Sequence, residues 1–92
     1  MTKYSHAELS TIWNKATIVP GQDKNIFRKD VCGAWIAWKE HGNRNSQYGW
    51  EVDHIVPLSR NGAHHIDNVH PLHWQNNARK SDGSFICAVW AK

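Results

Sequence analysis

Residues 50–56 alternate between two sets of side chains, with Trp, Val, His and Val at every second position. A period of two is typical of a β-strand, and the following Pro57 cannot continue strand pairing, so the pattern predicts a strand over residues 50–56. A polar loop comes next, and its Asn61-Gly62 pair predicts a turn.

Two further elements are predicted after this loop. Residues 69–72 form a short apolar piece that predicts a second strand, and residues 73–80 contain neither Gly nor Pro, which favours a helix. On that helix His73 and Asn77 are four apart, and Asn77 and Lys80 are three apart, so both pairs share a face. The order is therefore strand, loop, strand, helix.

A helix is also predicted near the N-terminus. Ser5-His6-Ala7-Glu8 has the spacing of a capping box, in which the Ser caps the helix and the Glu reaches back to it. Apolar residues follow at helical spacing, so we expect a helix over residues 6–16 that packs one face on the core.

The remaining segments give weaker patterns. Residues 25–30 are short and charged and are predicted to form one helical turn, residues 34–39 a strand, and residues 85–91 a closing edge strand. We expect the strand over 34–39 to pair with the strand over 50–56 in a small antiparallel sheet.

The length and the pattern together predict a small single α+β domain with an N-terminal helix, a small antiparallel sheet and the strand-loop-strand-helix stretch. Ninety-two residues can bury one modest core. Six tryptophans are spread along the chain, and most of them are expected to fill that core, because one Trp covers a large apolar area.

The charge is mildly basic, with a formal net charge of +3, which favours a polyanionic partner. No apolar run approaches the length of a membrane span and no signal peptide is evident, so we expect a cytoplasmic protein with no membrane partner. In a reducing cytosol Cys32 and Cys87 are expected to be free and buried. Their spacing does not support a zinc site.

Histidine is concentrated in the patterned stretch, where five of the seven lie between His54 and His73. This clustering favours metal or acid–base chemistry. Asp53 and Asn77 offer oxygen atoms of the kind that Mg²⁺ and Mn²⁺ prefer, and an imidazole such as His54 suits a general base acting on water. If the helix turns its Asn77 face toward the strand, Asn77 can meet Asp53 across a metal ion.

Asp53 and His54 are adjacent, and adjacent residues on a regular strand point to opposite faces. Both can face one site only if the strand ends, bends or bulges there. We therefore predict an irregularity near Asp53. The alternative is that one of the two supports the site from behind.

The same residues carry a resemblance to a known family. Asp53-His54-Ile55-Val56-Pro57, Asp67-Asn68-Val69-His70-Pro71-Leu72, and Asn77 with Lys80 behind it resemble the HNH endonucleases with their ββα-metal motif, here over residues 50–82 in the H-N-N variant. The resemblance implies that His54 is the general base. It further implies that Asp53 and Asn77 bind the metal and that Asn68 pins the loop.

The chain also departs from the commonest family pattern. Many relatives carry a Cys-x-x-Cys at the start of the final helix as part of a zinc knuckle, and here those places hold His73 and Asn76. This argues against such a knuckle. His73 is instead considered as a third metal ligand, a phosphate donor or a surface residue at the start of the helix. The wider chain resembles small stand-alone HNH proteins of bacteria and their phages.

The resemblance implies that residues 1–92 are a single HNH nuclease domain. Its predicted reaction is metal-dependent hydrolysis of DNA, leaving 5′ phosphate and 3′ hydroxyl ends. The expected cofactor is a divalent metal, Mg²⁺ or Mn²⁺ first, with Zn²⁺ or Ni²⁺ as alternatives. The expected partner is double-stranded DNA, met by a monomer or a homodimer.

The predicted site residues fall into three groups: catalytic His54, Asn68 and Lys80; metal-binding Asp53, Asn77 and His73; nucleic-acid-binding Arg28, Lys29, Arg44, Arg60 and Arg79. A solvated face explains Arg28 and Lys29 equally well. Two other functions compete with a nuclease. One is a non-catalytic nucleic-acid-binding module on the same scaffold, and the other is a small structural zinc protein.

Overall fold

A computed structural model describes residues 4–80 and 85–91 of the chain. Its helices and strands are α1 (His6–Trp13), β1 (Phe27–Lys29), β2 (Trp35–Ala37), β3 (Trp50–His54), β4 (Val69–His73) and α2 (Trp74–Arg79). Single 3₁₀ turns lie at Trp38–Glu40, Leu58–Arg60 and Ile66–Asn68. The predicted α+β class is confirmed.

Helix α1 begins with the predicted capping box. The Ser5 hydroxyl accepts from the Glu8 backbone N–H, and the Glu8 carboxylate accepts from the Ser5 backbone N–H. The helix ends at Trp13, three residues earlier than expected. It ends there because the carbonyls of Asn14 and Ala16 turn toward the buried Arg28 guanidinium, which donates to both.

The described strands form two two-stranded antiparallel sheets, β1 with β2 and β3 with β4. The predicted pairing of residues 34–39 with the motif strand is therefore wrong, as is the helical turn over residues 25–30. The reason is a tight turn between β1 and β2. The buried Asp30 carboxylate accepts the N–H groups of Cys32 and Ala34, and Gly33 supplies a φ of +81°.

Strands β3 and β4 form the predicted strand pair of the motif. Their register runs without interruption from Trp50 opposite His73 to His54 opposite Val69, so the ladder contains no bulge at Asp53. Strand β3 instead ends at His54, because the Asn68 side chain takes over the backbone groups of Val56. The motif loop departs from the sheet at that point.

The core lies between α1 and the two sheets and is built around Ile12, Trp13, Ile36, Trp50 and Val69. Both buried indoles have partners, since Trp13 donates to the Lys24 carbonyl and Trp50 to the Ala37 carbonyl. The prediction that tryptophans fill the core holds for these two. Trp38 packs against the core as well, whereas Trp90 is 59% exposed.

Residues 85–91 do not form the predicted edge strand. They are held instead by a disulfide between Cys32 and Cys87, with Cα atoms 5.8 Å apart, and by a hydrogen bond from the Ala91 N–H to the Gly33 carbonyl. The expectation of two free, buried thiols is therefore wrong. Across the described ranges, no helix combines the length and the apolar character needed to cross a bilayer.

Candidate active site

A cleft of about 340 Å³ opens where β3 ends beside α2. The structure brings four of the predicted site residues to this one cleft: Asp53, His54, Asn77 and Lys80. The remaining lining comes from Val52, Pro57 and Leu58.

The cleft forms because two side chains on one face of β3 are spaced so that each meets a side chain at the end of α2. Glu51 and Asp53 are two apart on the strand and share a face, and Asn77 and Lys80 are three apart on the helix and share a face. The Asn77 Nδ2 donates to Glu51 Oε1 at 2.7 Å, and the Lys80 Nζ lies 3.0 Å from each Asp53 oxygen. Two parallel contacts thus fix the helix against the strand.

Asp53 is buried, with 7% of its surface exposed, and both of its carboxylate oxygens accept hydrogen bonds. Besides Lys80, it accepts from the Nε2 of His70, at 2.8 Å, from the facing position on β4. Lys80 also donates to the His54 carbonyl oxygen. His70 is therefore a direct partner of the predicted metal ligand.

His54 lies half-buried at the edge of the cleft. Its Nε2 shares a hydrogen bond of 2.9 Å with the Nδ1 of His64, an exposed loop residue. Burial lowers the pKa of His54 below its usual value, and the positive charges of His64 and Lys80 lower it further, while Asp53 acts in the opposite direction. His54 is therefore uncharged at neutral pH, which is the state a general base requires.

Asn68 ties the motif loop rather than lining the cleft. Its Oδ1 accepts from the Val56 N–H at 2.9 Å, and its Nδ2 donates to the carbonyls of Val56 and Ala63 at 3.0 and 2.7 Å. The expected loop-pinning role is borne out by these contacts. Asn68 does not line the cleft, and its predicted catalytic role stays a prediction.

The structure does not bring His73 to the cleft. The side chain is 2% exposed, and its Nδ1 caps α2 by accepting from the Gln75 N–H. Its Nε2 donates to the Gln47 carbonyl at 2.8 Å. The predicted role of His73 as a third metal ligand is corrected, because both ring nitrogens are engaged in the interior.

Asn76, the second residue at the place of the family's Cys pair, is completely buried and makes four hydrogen bonds. Its Nδ2 donates to Asp30 Oδ2 and to the Val89 carbonyl, and its Oδ1 accepts from the N–H groups of Ala88 and Val89. Hydrogen bonds and a disulfide therefore hold the region where relatives have a zinc knuckle. Within the described part of the chain, no three His, Cys, Asp or Glu side chains group closely enough to hold a metal.

Three of the basic residues predicted to contact nucleic acid have partners within the protein. Arg28 is 4% exposed and clamps the end of α1, so its predicted phosphate contact is wrong. Arg44 forms a two-pronged ion pair with Glu51, at 2.7 and 2.9 Å, and lies over the Trp74 ring. Lys29 lies over the Trp35 ring, 4.9 Å from its centroid.

Arg60 and Arg79 are exposed beside the cleft. Arg60 ends the 3₁₀ turn that begins at Leu58, a residue of the cleft lining. Arg79 is the last residue of α2 and immediately precedes Lys80. Their predicted contact with nucleic acid stays a prediction.

A family model described as HNH endonuclease matches residues 31–83, which is more than half of the chain. The chain therefore belongs to the HNH endonuclease family and carries a nuclease-type domain. The matched range includes every residue of the cleft. Searches of curated proteins and of solved structures each found no match.

Proposed function

We propose that this protein is a metal-dependent endonuclease that hydrolyses phosphodiester bonds in DNA. The observation that supports the proposal is the content of one cleft: an uncharged imidazole from His54, a carboxylate from Asp53, a carboxamide from Asn77 and an ammonium from Lys80. A binding module needs no base beside a carboxylate. Phosphodiester hydrolysis needs a base, a site for cations and positive charge near the phosphate.

The residues of the cleft fit a hard divalent cation. Asp53 and Asn77 offer carboxylate and amide oxygens, and both Asp53 oxygens already face a cation, the Lys80 ammonium. This small set of oxygen donors suits Mg²⁺ or Mn²⁺, which keep several of their waters when bound to protein. It suits Zn²⁺ less well, because zinc prefers nitrogen and sulfur ligands in a closed set.

When bound, such an ion neutralises charge on the scissile phosphate and on the departing 3′ oxygen. His54 takes a proton from the attacking water as the water oxygen bonds to phosphorus and the P–O3′ bond breaks. The departing 3′ alkoxide takes up a proton from solvent to give the 3′ hydroxyl. Lys80 brings a second positive charge to the phosphate. Proton removal by a positioned base is typically worth about 10²–10⁴ in rate.

The substrate is proposed to be double-stranded DNA, held partly by Arg60 and Arg79. One cleft has one base and can cut one strand at a time. Products with 5′ phosphate and 3′ hydroxyl ends are expected, and both a monomer and a homodimer are compatible with single-strand nicking.

Conversion of supercoiled plasmid to the nicked circle tests the proposal. The full-length protein should nick with Mg²⁺ or Mn²⁺ and stop nicking when a chelator is added. Binding to a labelled duplex should be measured alongside by fluorescence anisotropy. Binding to the duplex without nicking under every metal condition would favour a non-catalytic nucleic-acid-binding module and contradict the proposed endonuclease activity.

A further inference from the structure

Glu51 lies behind the cleft and contacts the side chain of Asn77. It is two residues before Asp53 on the same face of β3, and its side chain is 21% exposed. Its Oε1 accepts from Asn77 Nδ2 at 2.7 Å, while Arg44 donates to both of its oxygens. Glu51 does not line the cleft, so it is not placed to reach the substrate itself.

The chemistry of this contact determines which end of the Asn77 amide faces inward. A carboxylate can only accept hydrogen bonds, and of the two amide atoms only nitrogen can donate. The final torsion of an Asn side chain has a broad, roughly two-fold profile, so a free amide would present nitrogen as readily as oxygen. With its nitrogen bound to Glu51, the Asn77 amide leaves its oxygen for the cleft.

Arg44 maintains Glu51 as an acceptor. Its guanidinium donates to both carboxylate oxygens of Glu51, at 2.7 and 2.9 Å, and this two-pronged ion pair fixes the carboxylate beside Asn77. The position of Arg44 is in turn supported by its contact with the Trp74 ring, at the start of α2. The result is a chain of contacts from Trp74 through Arg44 and Glu51 to Asn77.

We propose that Glu51 is a positioning residue of the metal site: it orients the Asn77 amide so that the oxygen, and not the nitrogen, faces the bound cation. The inference rests on the proposed function, because it assumes that Asn77 is a ligand. Partners behind a metal ligand typically contribute about 10–100-fold to metal affinity or activity. An effect of that size is expected for Glu51, acting only through Asn77.

The test is direct binding of Mn²⁺ to the full chain, without DNA or cleavage. Binding is monitored through the loss of the electron paramagnetic resonance signal of the free ion. The expected result is a loss of affinity of about 10–100-fold in Glu51→Ala. Glu51→Gln should lose less, because its amide oxygen can still accept from Asn77. Glu40→Gln is the matched control, since it removes one negative charge outside the cleft and keeps an acceptor for Asn43.

A double-mutant cycle with Asn77→Ala separates positioning from general damage. If Glu51 acts through Asn77, then Glu51→Ala should weaken Mn²⁺ binding in the wild-type background and add nothing in the Asn77→Ala background. An equal loss in both backgrounds, or unchanged affinity in Glu51→Ala, would overturn the assignment while leaving the nuclease proposal intact. A wild-type chain that bound no Mn²⁺, with or without DNA, would overturn both.

Discussion

The Lys80 ammonium lies 3.0 Å from both carboxylate oxygens of Asp53, and Asp53 is 7% exposed. This ion pair spans the gap between α2 and β3, and it concentrates both signs of charge at the mouth of the cleft. Removing one partner of a buried pair leaves the other charge poorly compensated.

Replacement of Lys80 should therefore weaken both the fold and the reaction. We expect Lys80→Met to lower the free energy of unfolding by about 1–3 kcal/mol, because Asp53 then keeps His70 as its one side-chain partner among the described residues. Nicking should slow as well. Arg79→Met is the control for stability, since it removes an exposed charge from the neighbouring position. Equal unfolding midpoints in urea for the two variants would contradict this account.

The pH dependence of cleavage should reflect the lowered pKa of His54. A general base is active when neutral, so activity is full above its pKa and is lost as the pH falls through it. Because burial and the charges of His64 and Lys80 lower this pKa, the acid limb of kcat/KM should have its midpoint below the ordinary histidine value of about 6.5. A bound divalent cation acts in the same direction.

The variant His64→Ala removes one of the two neighbouring positive charges and tests the cause of this shift. Its acid limb should move to higher pH, while burial still keeps the midpoint low. A wild-type midpoint above neutrality, or a His64→Ala profile displaced to lower pH, would contradict the assignment.

Asn76 should be one of the most sensitive positions for stability. Its replacement by Leu keeps the branching and the number of side-chain heavy atoms, but leaves without partners the buried groups that the amide satisfies, among them the backbone of Ala88 and Val89. We expect a loss of about 2–4 kcal/mol, measured by urea unfolding. Gln75→Leu on the exposed side of the same helix is the control and should change little. An Asn76→Leu variant with an unchanged free energy of unfolding would show that these contacts do not hold residues 85–91 in place.

The Cys32–Cys87 disulfide should contribute to stability by closing a loop with a sequence separation of 55 residues. The double variant Cys32→Ser/Cys87→Ser is expected to lose about 2–4 kcal/mol of unfolding free energy. Reductant should destabilise the wild type to the same extent and leave the variant unaffected. A thermal unfolding midpoint that changes neither in the double variant nor on adding reductant to the wild type would count against the disulfide.

Local patterns predicted the parts of the fold that local contacts determine. The Ser5–Glu8 capping box, the alternation that becomes β3 and the shared face of Asn77 and Lys80 all depend on spacing within a few residues. The sequence could not show how far each element ran, because the ends depend on distant groups. Arg28 stops α1, and Asn68 ends β3.

The contacts that sequence reasoning missed join residues far apart in the chain. The two predictions for Arg28, a phosphate contact and a solvated face, both place it on the surface, and only the arrangement of α1 around it shows its burial. The pairing of β1 with β2 had a usable signal, since an Asp followed three residues later by Gly is typical of a tight turn. The place of Glu51 beside the site also had a usable signal in the sequence, because Glu51 shares a strand face with Asp53.

The most direct test of the catalytic site is the single-turnover nicking rate of His54→Ala, at saturating Mg²⁺ and saturating plasmid. We expect a rate lower than wild type by about 10²–10⁴, with duplex binding close to normal, because the base is lost and the binding residues are intact. Nicking by His54→Ala at the wild-type rate would contradict the proposed role of the cleft.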